Sequence, residues 1–349
     1  MRKFGFQILL PFFFVVALTA VRPQPPVPHG QQQFADLGVC KLANGQEITG
    51  CRLGYRTWGA LNADRSNAVL FPTWFSGSSA NLAGFVGADK LIDPSKYFGI
   101  AVDALGNGVS SSPSNSPTQH GPNFPAFTVQ DMVNAEYRLV TETLHLTHLH
   151  AVIGISMGGQ QTFEWMVDYP GFMDEAIPIL GSPRPDSRDL LLYRTDMDAV
   201  KSDPAWRDGR YTRPPTASVA ELIWQLNLTT PANFARAYSR AAFDENYAKW
   251  RTNGIRPFDA NDWVAQLSAV LHLDVAHGGS LEDAAKRVRA KVLVVSSARD
   301  HMVNPEPPLH FARLVGARTI VLQGDCGHLA NRCEAATLDS QVRAFLDGQ

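Results

Sequence analysis

The chain lacks any concentration of charge. Its 31 Lys and Arg nearly cancel 33 Asp and Glu, and neither a basic tract nor an acidic tail is present, so composition gives no reason to expect nucleic acid or a polyanion as partner. Internal repeats and coiled-coil heptads are missing, and the only low-complexity stretch is the proline-rich Val21-Arg22-Pro23-Gln24-Pro25-Pro26. Cysteine is scarce, with four residues. A zinc site is one reading of them, but no C-x-x-C or paired-histidine spacing supports it, and no metal or cofactor is expected.

What the chain does have is apolar residues. At 349 residues and 45% hydrophobic content, it can bury a large core, as one large domain with an insertion or as two ordinary ones. Met1-Arg2-Lys3 is a short positive segment and Phe4 to Ala20 is almost wholly apolar. Ala17-Leu18-Thr19-Ala20 ends that run with small residues. This is the pattern of a secretory signal peptide, so the expected location is secreted or periplasmic. The rival is an uncleaved membrane anchor, for which the run is slightly short and is interrupted by Pro11. After cleavage no stable membrane association is expected. In an oxidising compartment the cysteines read as two local disulfides. Cys40 and Cys51 flank the expected turn Ala43-Asn44-Gly45-Gln46, and Cys326 and Cys333 bracket His328.

The strongest motif is Gly154-Ile155-Ser156-Met157-Gly158. It has the G-x-S-x-G form of a nucleophile elbow, which needs a strand before it and a helix after it. Leu149 to Ile155 is a short apolar run suited to a buried strand. Gln160 to Tyr169 spaces Phe163, Met166 and Val167 as a helix does. A serine on so tight a turn has strained backbone angles, and small residues two positions either side let strand and helix pass. The alternative is a Gly-rich turn that merely ends a strand.

Around this motif the chain alternates strands and helices. Phe34 to Leu42 and Glu47 to Thr57 suit an antiparallel hairpin, and Asn67 to Phe71 and Tyr97 to Val102 suit strands covered on both faces. Thr128 opens a helix with Asp131 in its first turn. Ala176 to Leu180, Lys291 to Ser296 and Arg318 to Leu322 are further strands. The pattern predicts an α/β fold with a mostly parallel central sheet. Residues 183–288 break it with helical segments and no clear strand. The expected organisation is a signal peptide over 1–20, a linker over 21–33, a core over 34–182 and 289–349, and a helical cap over 183–288.

A serine hydroxyl becomes a nucleophile when a histidine takes its proton and a carboxylate orients the imidazole. Behind an elbow of this kind the order along the chain is serine, acid, histidine. Asp300 lies just past the strand that begins at Lys291. His328, one of ten histidines, lies in Gly324-Asp325-Cys326-Gly327-His328-Leu329, just past the last strand. Asp300 alone would read as a helix cap and His328 as a loop histidine, and Asp325 and Asp103 are the other candidates for the acid. The oxyanion formed in acyl transfer needs two backbone donors. Met157 is the expected first, and the Phe75 amide in Pro72-Thr73-Trp74-Phe75-Ser76-Gly77-Ser78-Ser79 the expected second.

Several separate blocks now carry a resemblance. Gly54-Tyr55-Arg56-Thr57-Trp58-Gly59, Leu61 to Leu70, Asp103-Ala104-Leu105-Gly106-Asn107-Gly108, Ser156-Met157-Gly158-Gly159-Gln160 and Phe258-Asp259-Ala260-Asn261 resemble the homoserine O-acetyltransferase family of α/β-hydrolase folds. The resemblance implies a triad at Ser156, Asp300 and His328, a ping-pong acyl-enzyme and a helical lid. Two departures bear on substrate. The family's cap arginine for the homoserine carboxylate aligns with Ile223, and no basic residue occurs from Pro214 to Ala235. The family's aspartate after the catalytic histidine is replaced by Leu329. With Trp74, these two positions are the expected substrate pocket.

The function that follows is an exported serine hydrolase acting on a carboxylic ester or related acyl compound. Its partner is a small-molecule acyl substrate, and the oligomeric expectation is a homodimer. The alternatives are an acyltransferase, which export disfavours because acetyl-CoA is cytosolic, and a non-catalytic binding protein on the same fold.

Overall fold

The computed structural model describes Met1 and residues 29–349. The expected signal peptide and the first part of the linker, through residue 28, lie outside the described residues. Among the described residues no helix is long and apolar enough to cross a membrane.

The chain opens with β1 (Gln33–Lys41) and β2 (Glu47–Trp58), the expected antiparallel hairpin, turned at Gly45 with φ 82°. Cys40 and Cys51 both face the core and are joined, with Cα atoms 5.7 Å apart. Next come β3 (Ala68–Pro72), the single-turn helix α1 (Ser79–Leu82) and β4 (Phe98–Val102). Helix α2 (Val129–Arg138) is capped by Thr128, whose hydroxyl accepts from the Asp131 amide, as its sequence predicts. Then β5 (Leu149–Ile155) runs into α3 (Met157–Asp168), and β6 (Met173–Ile179) follows.

No strand forms between residues 180 and 290. That span holds α4 (Ser187–Lys201), α5 (Ser218–Leu228), α6 (Pro231–Ala237), α7 (Phe243–Asn253), α8 (Ala260–Leu271) and α9 (Leu281–Arg287). The chain then returns to the sheet with β7 (Lys291–Ser297), α10 (Glu306–Val315) and β8 (Arg318–Leu322). It ends in α11 (Ala330–Cys333) and α12 (Ala335–Leu346).

The eight strands form one sheet in the order β1-β2-β4-β3-β5-β6-β7-β8. Every pairing from β4 to β8 is parallel, and only β1 and β2 run antiparallel to their neighbours. All five residues of β3 are buried. Ala68 and Leu70 face one core cluster while Val69 and Phe71 face the other, because side chains alternate across a sheet covered on both sides. That double burial is why such strands read as unbroken apolar runs.

The sheet order reverses direction at β3. From there the chain goes outward to β4 and then back across to β5. In open parallel sheets the crevice beyond the strand ends at such a reversal is where ligands bind. The loop after β3 and the turn after β5 share that crevice.

Candidate active site

Ser156 sits between β5 and α3 with φ 58° and ψ −121°, a conformation L-residues seldom adopt and one that holds the side chain out of the sheet. The flanking glycines are obligatory on steric grounds. A Cβ at Gly154 would collide with the Gly158 carbonyl, and one at Gly158 would lie 2.5 Å from the Pro72 oxygen. Helix α3 starts at Met157, three residues earlier than its hydrophobic spacing predicts. Gly158 and Gly159 obscure the period, yet it is this immediate start that turns the first amides of the helix toward the serine.

Asp300 and His328 come from the ends of β7 and β8. With the proton on Nδ1, His328 donates to Asp300 Oδ2 over 2.7 Å and accepts from Ser156 Oγ at Nε2 over 2.8 Å. Asp300 Oδ1 accepts from the amides of Met302 and Val303 at 2.8 and 3.0 Å. Both carboxylate oxygens are thereby occupied and the ring is held in one orientation. The other two acid candidates serve elsewhere. Asp325 pairs with Arg236 at 2.5 Å. Asp103 is buried and accepts from the Ser79 amide and hydroxyl at 2.7 Å each and from Asn107 Nδ2 at 3.0 Å.

That arrangement gives Asp103 a supporting part. It ties down the loop after β3, whose Ser76 has φ 58° and donates its amide to Gln266 Oε1 at 2.8 Å. Gln266 in turn donates to the Leu105 carbonyl. The Phe75 and Met157 amides have no protein acceptor among the described residues, and both residues line the space beside Ser156. Asp103 and Gln266 have no motif of their own. Only the Asp103-to-Gly108 block marks the first, and nothing in the sequence marks the second.

Ser156 and His328 open onto two cavities. The larger, about 240 Å³, is lined by Trp74, Phe75, Trp224, Leu228 and Leu329, and also by Asn331 and Arg332. The smaller, about 20 Å³, lies past Met157 and is walled by Tyr193, Leu267, Val270, Met302 and Val303. Of the three expected pocket residues, Trp74 and Leu329 are in place and Ile223 is not. Ile223 lines a separate outer cleft with Asp198, Val219 and Arg251. The next residue, Trp224, faces the serine, and its ring packs 5.0 Å from Phe75. Helix α5 carries Leu222, Ile223, Trp224, Leu226 and Leu228 within seven positions, so its apolar residues wrap round it and the inward face cannot be read from periodicity.

The helical span grips this site at two places. Thr230 Oγ1 donates to the Asp325 carbonyl at 2.6 Å, and Asn233 Nδ2 contacts Cys326 Sγ at 3.3 Å, fixing the turn that carries His328. Cys326 and Cys333 are joined, closing that turn, with Cα atoms 6.4 Å apart. On the other side Asp189 of α4 accepts from the Asn304 amide at 3.1 Å, and the Tyr193 hydroxyl donates to the Met302 carbonyl at 3.0 Å. Burial pushes the Asp189 carboxyl up to about 7 against the lowering effect of the Asn304 amide.

With this geometry in place, comparisons set the chain among known proteins. The sequence profile of the alpha/beta hydrolase fold matches residues 67–331. An ethyl acetate hydrolase of Pseudomonas veronii is 33% identical over 332 residues, covering 91% of this chain and 95% of that protein. A homoserine O-acetyltransferase of Zymomonas mobilis is 30% identical over 355 residues, covering 89% and 95%. The crystal structure of an acetylester hydrolase from Corynebacterium glutamicum superposes with a TM-score of 0.84 at 28% identity, covering 91% of this chain and 96% of that one. The expected fold and resemblance both hold: the chain belongs to the alpha/beta hydrolase fold family, in its homoserine O-acetyltransferase-like group, and is an esterase-like hydrolase or acyltransferase.

Proposed function

We propose that this protein is an exported serine hydrolase that cleaves short-chain carboxylic esters through an acyl-enzyme. The observation that carries the proposal is the unbroken chain Asp300–His328–Ser156, with both hydrogen bonds at 2.7–2.8 Å and the serine at the mouth of both cavities. In the first half-reaction Ser156 Oγ attacks the ester carbonyl while His328 Nε2 takes its proton. The Phe75 and Met157 amides hold the oxyanion, and the imidazolium returns the proton to the leaving alcohol. Water then repeats the sequence on the acyl-serine and releases the acid. Asp300 keeps Nδ1 protonated and stabilises the cation without itself becoming protonated.

The cavity sizes support a division of the substrate between the two spaces. A space of about 20 Å³ holds a group about the size of one water or methyl, which suits an acetyl methyl, and the larger cavity takes the alcohol. The relatives named for ethyl acetate and acetylester hydrolysis support acetate esters. Residues 183–288 serve as a cap over the alcohol side, since Trp224 and Leu228 wall the large cavity. Export rests on the N-terminal sequence pattern and is compatible with the two disulfides.

The second reading, transfer to an amino-acid alcohol, is favoured by the relatives named homoserine O-acetyltransferase. Against it, no Asp or Glu lines either cavity among the described residues, so an ammonium group would be buried without a partner.

The test is hydrolysis of p-nitrophenyl acetate with and without a serine-reactive inhibitor. Ser156→Ala or His328→Ala lowers kcat by roughly 10⁴ to 10⁶ with circular dichroism unchanged, and Asp300→Asn by somewhat less. Near wild-type turnover by Ser156→Ala would show that another group is the nucleophile.

A further inference from the structure

The large cavity carries polar groups for which hydrolysis itself has no use. Asn331 is 5% exposed and lines the cavity. Its side-chain amide takes no hydrogen-bond partner among the described residues, and its atoms are not sealed in the protein interior. The space they meet is the cavity. Arg332, the following residue, lines the same cavity and is exposed. It forms no salt bridge among the described residues, unlike Arg236, whose guanidinium is matched by Asp325. Among the described residues no other Lys or Arg lines the cavity, and no Asp or Glu does.

The position of this pair is fixed from both sides. His328 lies three and four residues before them, held by Asp300 and Ser156, and the bridge from Cys326 to Cys333 closes the segment immediately after Arg332. A guanidinium offers a planar fork of charged donors, and a neighbouring amide adds one neutral donor. Together they fit a compact oxyanion group. A zwitterion is not matched, because its ammonium would find no carboxylate.

We infer that the alcohol side of the site takes leaving groups bearing an anionic oxygen group, a carboxylate foremost, held by Arg332 and Asn331. The inference rests on the ester-hydrolase reading and on the alcohol occupying the larger cavity. Arg332 and Asn331 act as specificity residues: they touch the substrate away from the scissile bond and take no part in proton transfer. The reaction is still ester plus water giving acid plus alcohol, and what the pair sets is which alcohol is accepted.

The probes are 4-acetoxybenzoate and its neutral counterpart 4-acetoxybenzamide, which carry the same acyl group and differ in one charge. In the wild type at low salt, kcat/KM favours the carboxylate by about two- to fivefold, the scale of one exposed ion pair. The preference shrinks as salt screens it. Arg332→Gln brings the ratio close to one, and the near-isosteric Asn331→Asp takes it lower by repulsion. A wild-type ratio of one or less, or an unchanged ratio in Arg332→Gln, overturns the inference. Calorimetric binding of 4-acetoxybenzoate to Ser156→Ala protein, with and without Arg332→Gln, separates the two claims. If neither ester is hydrolysed but Arg332→Gln still weakens binding, the hydrolase reading fails and the subsite stands. If both are hydrolysed and binding is unaffected by Arg332→Gln, the subsite fails alone.

Discussion

In the proposed reaction, acyl chain length is the substrate property on which the small cavity bears most directly. The small cavity past Met157 has about 20 Å³, close to the space one water-sized group needs. Its walls are Leu267, Val270, Met302 and Val303, all buried in well-packed surroundings. An acetyl methyl enters without moving them. The two further methylenes of a butyryl group must push wall residues from their places, and overpacking of this kind costs about 1–3 kcal/mol in all. At about 1.4 kcal/mol per factor of ten, that is a loss of roughly 5- to 150-fold. The expected result is that kcat/KM for p-nitrophenyl acetate exceeds that for the butyrate by on the order of 10- to 100-fold. Both esters release the same phenolate, so the ratio reports the acyl wall alone. Val270→Ala removes two methyl groups from that wall and narrows the gap. Equal rates for acetate and hexanoate, or a ratio insensitive to Val270→Ala, would refute this assignment of the two cavities.

Two further predictions concern stability. The Cys326–Cys333 bridge closes a short loop around His328 and holds the general base in the position its proton transfer needs. Replacing both cysteines with serine therefore lowers kcat and shortens the half-life of activity on heating, more than it lowers the midpoint of global unfolding. Wild-type heat resistance in that variant, or two free thiols in protein made in an oxidising compartment, would remove the bridge from the account. The second concerns buried Asp196, which accepts from Trp263 Nε1 at 2.7 Å. Burial pushes its carboxyl from the ordinary 3.8 up to about 7, against the lowering effect of that indole bond. The native state thus keeps a proton that the unfolded chain releases, and the associated stability is lost as pH rises from about 4 through 7. Asp196→Asn removes this contribution, so denaturant titrations of variant and wild type diverge in the variant's favour between pH 5 and pH 8. Parallel pH dependences would show that Asp196 is ionised in the fold.

Much of the fold was legible because its strands are buried on both faces. Leu149–Ile155, buried along nearly its whole length, coincides with its predicted run, the half-exposed edge strand Arg318–Leu322 also coincides with its run, and the hairpin and Thr128 cap follow from local turn and capping chemistry. The order of serine, acid and histidine also survives in one dimension, since parallel strands deliver their loops to the same edge. What did not survive is whatever depends on which way a helix faces. Leu222 to Leu228 offers apolar residues in every direction, and the inward ones are Trp224 and Leu228, not Ile223. Long-range supports were equally invisible. Gln266 reaches Ser76 across 190 positions, and Asp189 reaches Asn304 across 115. Their residue types have no pattern until the chain is folded. Arg332 carries no signal in the sequence for a related reason: a surface arginine acquires meaning only once folding places it at the cavity.

The facing of Ile223 changes what it would take to restore acetyl transfer. Homoserine brings a carboxylate and an ammonium, and an acceptor enters a closed site productively only if both are met. Leu329, directly after His328, lines the large cavity and offers nothing to the ammonium. A charged or polar substrate group without its partner can cost roughly 10⁴ in discrimination. The wild type is therefore expected to form no O-acetylhomoserine from acetyl-CoA, and added homoserine is expected to leave ester hydrolysis unchanged. Leu329→Asp combined with Ile223→Arg gains nothing over Leu329→Asp alone, because the new guanidinium would sit in the outer cleft beside Asp198. Leu329→Asp combined with Leu228→Arg is the productive pair, since Leu228 faces the same cavity as Leu329, and it is expected to give weak transfer detectable by mass spectrometry of the product. The comparison of the two double variants tests the facing of α5 directly. O-acetylhomoserine formed by the unmodified protein as fast as it hydrolyses esters would return the chain to the transferases, whatever the variants do.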